Sequence, residues 1–280
     1  MSRKQKSSVW LKYFILISLL ILYLFPFVLV LINSFKAKRD VIKNPLSLIG
    51  AEGFFVSNYP MAIKRMDFLR VFGNSVFITV VSVVLIVLFA SMTAYFFTRN
   101  DWKINKIVYS IMLTSMVIPF QVLMIPIVSI YGSKLHVLNN PWTLIFMHVG
   151  FGVSMGIFMF SGAIRSSIPI ELEEAVRIDG GGRLRTYITI IMPLLKPTTV
   201  TLVIIDALAI WNDYLLPSLI LVKKDLYTLP IAAQAFHGDF SSDYGLMMAG
   251  MIMTVIPILV LYLALQKYII DGVVTGAVKG

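Results

Sequence analysis

Tyr13-Phe-Ile-Leu-Ile-Ser-Leu-Leu-Ile-Leu-Tyr-Leu-Phe-Pro-Phe-Val-Leu-Val-Leu-Ile32 holds no charged residue. A helix crossing the hydrocarbon core of a bilayer needs about 20 mostly apolar residues, and this stretch supplies them. A basic end (Arg3, Lys4, Lys6) precedes it, as in a signal peptide. The apolar run is too long for one, however, and no small-x-small cleavage site follows at Asn33 to Ala37. We read it as a retained first span.

Five further segments meet the same criterion. The second lies between Arg70 and Arg99, with Asn74 to Phe97 as its expected limits. The third lies between Lys106 and Lys134. The fourth, Trp142 to Ala163, precedes Arg165. The fifth runs from Thr198 to Val222 and contains Asp206 and Asp213. The sixth runs from Tyr244 to Gln266. The expected fold is therefore all-α integral membrane, with six transmembrane helices. Residues 1–12 form an N-tail, 13–266 the spanning domain with a loop at 164–197, and 267–280 a C-tail.

Composition agrees. Of 280 residues, 58% are hydrophobic and 14% charged, where a soluble domain carries about 25% charge. The net charge of +10 sits mainly in loops and the N-tail and shows no basic stripe with interleaved aromatics. It fits an anionic leaflet rather than nucleic acid. There is no cysteine, which excludes disulfides, thiolate metal sites and Cys nucleophiles. With the N-terminus inside, inner segments hold 14 Lys/Arg and outer segments 10. The bias favours both termini in the cytoplasm, weakened by a basic outer loop from Asn33 to Gly73.

The most polar interruption is the loop between the fourth and fifth spans, Pro169-Ile-Glu-Leu-Glu-Glu-Ala-Val-Arg-Ile-Asp-Gly-Gly-Gly182. Pro169 suits a first helical turn, and Glu171, Glu173 and Glu174 complement a helix N-terminus. Leu172, Ala175, Val176 and Asp179 share a side by helical spacing. Gly180 to Gly182 stop the helix. A second short helix from Leu184 to Ile191 is expected to end at Pro193. A short amphipathic helix at a membrane face lies on lipid or enters a groove on a partner. Lipid-facing helices are basic on the polar side. This one begins acidic, which favours a protein groove.

Glu174-Ala175-Val176, three residues, Gly180, nine residues, Ile190, one residue, Met192-Pro193 is similar to the "EAA" motif of bacterial ATP-binding-cassette (ABC) importer permeases. Val176 stands for Ala and Met192 for Leu, both conservative departures. Asp179, Tyr187 and Pro197 also fit. The resemblance extends along nearly the whole chain. Asn33-Ser34-Phe35-Lys36, Asn74-Ser75, Trp211-Asn212-Asp213 and Gly276-Ala277-Val278-Lys279-Gly280 resemble the carbohydrate-import, maltose-type branch.

The resemblance implies a coupling helix that docks into a cleft of a separate ATPase dimer, with Glu173, Glu174, Ala175, Val176, Asp179, Gly180 and Pro193 as its coupling residues. It implies a bacterial cytoplasmic membrane, a second permease subunit, an extracytoplasmic sugar-binding protein touching the loop from Lys223 to Asp243, and a sugar as cargo. The chain itself would be no enzyme and hold no cofactor, with ATP and Mg on the partner. Consistently, no G-x-x-x-x-G-K-[ST] phosphate loop occurs. A permease for another small solute is the alternative, as is a secondary transporter, although we find no internal repeat.

Asp206 and Asp213 are seven residues apart and share a helix face. Trp211, Asn212, Asp213 and Tyr214 combine rings and hydrogen-bonding groups, which a sugar needs together. They could line its path or pack against a partner permease. Gln121, between Pro119 and Pro126 of a kinked third span, is a further candidate. Gly152-x-x-x-Gly156 reads as close helix packing. His136, His148 and His237 have no metal-ligand spacing, so no metal site is expected.

Overall fold

The computed structural model describes residues 3–51, 53–239 and 243–277. In chain order the helices are α1 (Arg3–Ser34), α2 (Lys38–Lys43), α3 (Asn58–Met66), α4 (Phe68–Arg99), α5 (Lys103–Ser115), α6 (Phe120–Ile127), α7 (Pro141–Ser167), α8 (Glu171–Ile178), α9 (Arg183–Thr186), α10 (Met192–Leu194), α11 (Lys196–Trp211), α12 (Leu215–Ile220), α13 (Leu229–Asp239) and α14 (Tyr244–Ala277). No strand occurs among the described residues. The protein is an all-α integral membrane protein.

Four stretches are long and apolar enough to cross a membrane alone: Trp10–Ser34, Phe68–Arg99, Pro141–Ser167 and Tyr244–Ala264. Two more qualify only as bent pairs. Lys103–Ser115 and Phe120–Lys134 meet at 96°, and Arg183–Leu194 and Lys196–Trp211 at 74°. The expected third span is thus not straight, and the second bend, at Leu195, falls just before the expected fifth span. Pro119 lacks an N–H and disfavours the α region at the residue before it, and the helix stops at Ser115 and resumes at Phe120. The expected fifth span from Thr198 to Val222 stops at Trp211 and restarts as α12. The second span starts earlier than Asn74, because Phe68 to Gly73 continue the helix through Arg70. Residues 278–280 of the C-terminal motif lie outside the described residues.

The chain forms two compact units. In the first, residues 1–69 and 232–256, α1 exposes its side chains from Trp10 to Val28. A helix apolar on all sides and uncovered by its own chain has lipid or another protein as its solvent. Just past α1, Lys36 is fully buried. Its Nζ donates to Asn33 Oδ1 at 2.9 Å, Asn44 O at 2.9 Å and Pro45 O at 3.2 Å. Burial lowers the pKa of this ammonium, and the Asp40 carboxylate partly restores it. Asn58 Nδ2 donates to Ser34 O at 2.8 Å and Lys36 O at 2.9 Å. The Asn33-Ser34-Phe35-Lys36 segment is therefore a hydrogen-bonded organiser of the loop after α1.

The second unit, residues 70–231 and 257–280, holds the helical core. On α4 the buried positions Val71, Ser75, Ile78, Ser82, Ile86, Ala90 and Ala94 recur every three or four residues, the period of one helical face. α7 begins at Pro141, with the Asn140 side chain accepting from Trp142 N at 2.9 Å. Gly152 and Gly156 let α7 approach α4 closely. A Cβ on Gly156 would lie 2.6 Å from Ala90 Cβ and 3.1 Å from Leu202 Cδ2, and one on Gly152 2.6 Å from Ile86 Cδ1. The seam is the expected small-residue packing. It continues into a core of Ile86, Ala90, Ala94, Ile157, Phe160, Ile164, Tyr187, Ile191 and Leu202.

Candidate functional site

The polar segment 169–194 folds as a helix, a glycine turn and a second helical arm. Glu171, Glu173 and Glu174 occupy the first turn of α8, where negative charge complements the helix dipole. Gly180 adopts φ +75°. Its N–H donates to Arg177 O at 3.1 Å, and Gly181 N–H to Val176 O at 2.8 Å. This is a Schellman stop, which only glycine satisfies without cost at the left-handed position.

The second arm departs from expectation. Pro193 does not end it. After α9 the backbone widens into a π-helical turn, Tyr187–Ile191, and runs on through Pro193 to Leu194. A proline removes one i→i−4 bond. The wider π turn absorbs that loss, so the break falls at Leu195.

The acidic residues of α8 face different ways. Glu173 is turned inward, its side chain 6% exposed. Arg99 Nε donates to Glu173 Oε1 at 2.5 Å, and the Tyr95 hydroxyl donates to Oε2 at 2.9 Å. Arg99 Nη2 donates to Ile168 O at 2.8 Å. Tyr95 stacks on Tyr187 of the second arm, with ring centroids 5.9 Å apart. Ser91 Oγ and the Tyr187 hydroxyl oxygen are hydrogen-bonded at 2.7 Å. Ser91, Tyr95 and Arg99 follow at i, i+4 and i+8, so one stripe of α4 clamps both arms.

Glu174, Ala175, Ile178 and Asp179 point away from that clamp and are exposed, Val176 is half-buried, and Ile178 is 86% exposed. Of the residues expected to couple, Glu173 is thus separated from the exposed group. Ile178, within the expected stretch from Ala175 to Gly180, joins it. Tyr187 was already part of the motif, whereas Ser91, Tyr95 and Arg99 were missed. Their signal was a polar stripe at helical spacing near the end of an apolar span.

The candidates in the fifth segment do not converge on one surface. Trp211 is buried and meets Phe72 edge-on, with ring centroids 5.9 Å apart. Asp213 Oδ1 accepts from Leu216 N at 3.3 Å, at the start of α12. Asn212 turns back to Leu208 O at 2.8 Å and is exposed, as is Tyr214. Gln121 is exposed in the first turn of α6. Asp206 is buried on α11, and its Oδ2 has no hydrogen-bond partner among the described residues. No cluster of three or more His, Cys, Asp or Glu able to hold a metal occurs among the described residues.

Asn74 and Ser75 have a structural use. Asn74 Nδ2 donates to Asp225 O and Tyr227 O, each at 3.0 Å, and Ser75 Oγ accepts from Leu229 N at 2.8 Å. They clasp the segment that leads into α13. Asn74→Ala removes two hydrogen bonds, a loss of about 1–2 kcal/mol. We expect limited proteolysis to cut residues 223–228 several-fold faster in that variant, with the rest of the chain unchanged.

Residues 86–274 match the family described as binding-protein-dependent transport system inner membrane component. The chain is 40% identical over 277 residues to the "Probable starch degradation products transport system permease protein AmyC" of Thermoanaerobacterium thermosulfurigenes, covering 99% of each. It is 37% identical over 288 residues to the multiple sugar-binding transport system permease protein MsmG of Streptococcus mutans, covering all of both. It is 37% identical to the melibiose/raffinose/stachyose import permease protein MelC of Bacillus subtilis, covering 91% of each. In fold it resembles a chain of a bacterial ABC transporter that imports the acidic polysaccharide alginate, with a TM-score of 0.79 over 96% of this chain and 98% of that one, at 20% identity. The chain therefore belongs to the binding-protein-dependent transport system inner membrane component family.

Proposed function

We propose that this protein is the permease subunit of an ABC importer that moves a sugar or oligosaccharide across the cytoplasmic membrane. The relatives named for starch products, multiple sugars and melibiose/raffinose/stachyose support the cargo class. Six spans, with the third a bent pair, the loop at 164–197 and both termini in the cytoplasm, agree with the charge distribution. A second permease, an ATPase dimer holding ATP and Mg, and an extracytoplasmic sugar-binding protein complete the machine. The segment from Lys223 to Asp243, which contains α13 and of which residues 240–242 lie outside the described residues, is the proposed contact for that binding protein.

One observation carries the coupling role. α8 presents Glu174, Ala175 and Ile178 to the outside while Glu173 anchors it from behind. An exposed isoleucine beside an exposed carboxylate fits a protein groove better than bulk water. Asp179, Gly180 and the half-buried Val176 shape the end of that surface, and Pro193 lies in the arm returning to α11. Closure of the ATPase dimer would move α8 as a lever. The Glu173–Arg99–Tyr95 clamp would pass the motion to α4, switching the sugar path from inward-facing to outward-facing. Trp211 to Tyr214 and Gln121 are proposed to line or shape the sugar path. Asn212, Tyr214 and Gln121 are the exposed ones that a sugar could touch.

Glu174→Lys and Ile178→Asp test the docking surface. Each should lower ATPase co-purification at least tenfold, about 1.4 kcal/mol of interface energy, and abolish sugar uptake in proteoliposomes, with the chain still inserted. Wild-type recovery of the ATPase with both variants would overturn the assignment.

A further inference from the structure

A cavity of about 300 Å³ opens between the end of α4 and the two arms of the polar segment. Its polar wall carries Arg99, Glu173, Arg177 and Arg183, and its apolar wall includes Phe96 and Leu184. The charges do not cancel. Arg99 neutralises Glu173 at 2.5 Å. Arg177 and Arg183 are exposed, and neither pairs with a carboxylate among the described residues. Two guanidinium charges are therefore left facing a recess with an apolar floor.

Depth and orientation narrow the ligand. Arg99 is the last residue of α4, so the cavity lies where an apolar span gives way to water. Arg177 follows Glu173 by four residues and shares its side of α8. Measured from Glu173, Arg177 is about 40° round the helix, Glu174 about 100° and Ile178 about 140°. The cavity is thus on a different side from the proposed docking face. Guanidinium forks match phosphate geometry better than any other side chain. A basic pocket between helices at the membrane interface suits an anionic lipid head group.

We propose that this cavity binds a phosphate-bearing anion, which in the bilayer is the head group of an acidic phospholipid. Arg177 and Arg183 grip the phosphate. Phe96 and Leu184 border the glycerol and the first methylenes. A lipid held there would brace α8 and the second arm against the end of α4.

The test uses the complete transporter in nanodiscs of phosphatidylglycerol or phosphatidylcholine, with retained lipid counted by native mass spectrometry after transfer to detergent. The wild type should retain phosphatidylglycerol and not phosphatidylcholine. Arg177→Gln combined with Arg183→Gln should weaken that retention roughly thirtyfold, at about 1 kcal/mol per basic residue. Lys103→Gln with Lys106→Gln, which lie outside the cavity, should leave retention unchanged, and size-exclusion profiles report assembly in every variant. A parallel arm adds glycerol phosphate at millimolar concentration. If it does not displace the retained lipid, the ligand is a membrane head group. Displacement would assign the same phosphate chemistry to a soluble anion. Equal phosphatidylglycerol retention by the wild type and the double arginine variant would overturn the proposal. None of these readouts depends on sugar uptake, so they stand apart from the test of the transport function.

Discussion

Glu173→Ala is expected to lower sugar uptake at least a hundredfold in proteoliposomes while leaving the chain in the membrane. The reason lies in what remains. Arg99, with 17% of its side chain exposed, would keep its charge and lose its carboxylate. Tyr95 would lose the acceptor of its hydroxyl. Removing one member of a buried ion pair costs about 3–5 kcal/mol, because the other charge is stranded. Here the loss falls on the polar joint between α8 and α4, while Tyr95 and Tyr187 keep their packing against the core around Ile86, Ala90 and Leu202. The expected result is an undocked, mobile α8 in an intact bundle.

Two measurements separate this from general unfolding. The protease sensitivity of residues 169–182 should rise sharply, while the thermal midpoint of the whole chain shifts little. Replacing both partners together, Arg99→Met with Glu173→Leu, should restore much of the lost order, because no buried charge is then left unpaired. If Glu173→Ala transported at the wild-type rate, the clamp would have no part in function.

Gly156→Leu is expected to have the largest effect on folding itself. Even a bare Cβ at this position would lie 2.6 Å from Ala90 Cβ and 3.1 Å from Leu202 Cδ2. Neither neighbour can retreat, since one is a short side chain on α4 and the other is fully buried on α11. A leucine must therefore push three helices apart. Overpacking in a close-packed core costs about 1–3 kcal/mol, and the branched end of a leucine extends beyond a Cβ that is already crowded. We expect the amount of folded protein in the membrane to fall at least tenfold. Gly162 is the control on the same helix, because a Cβ there meets nothing within 4 Å. Gly162→Ala should express like the wild type, with a small gain from helix propensity. Equal loss in both variants would argue against the close seam.

The contrast between these sites reflects what a sequence encodes locally and what it does not. The charge-free run from Tyr13 to Ile32 determined a membrane fold without any tertiary information. The cost of burying backbone and charge in hydrocarbon leaves few alternatives. The glycine stop after α8 was equally legible, since a left-handed residue is a local requirement that Gly180 meets by itself. The small-residue seam on α7 could also be read, because Gly152 and Gly156 fall on one face by spacing alone.

Direction was a different matter. Glu173 and Glu174 are neighbours of the same residue type, and the sequence treated them alike. Only the packing of α8 against α4 put one beneath Arg99 and Tyr95 and left the other outside. The partners of Glu173 lie 74 and 78 residues away, far beyond any helical period. The same limit governed Pro193, where a π turn kept the helix going past a residue that usually ends one, and Trp211, which went into the core rather than joining Asn212 and Tyr214. The sequence by itself determined the apolar solvent of the long charge-free runs and the glycine stop of α8, because those depend on a few adjacent residues. Which side of each helix faces its neighbours, and so which charges meet, was decided only when distant helices packed together and desolvated the groups between them.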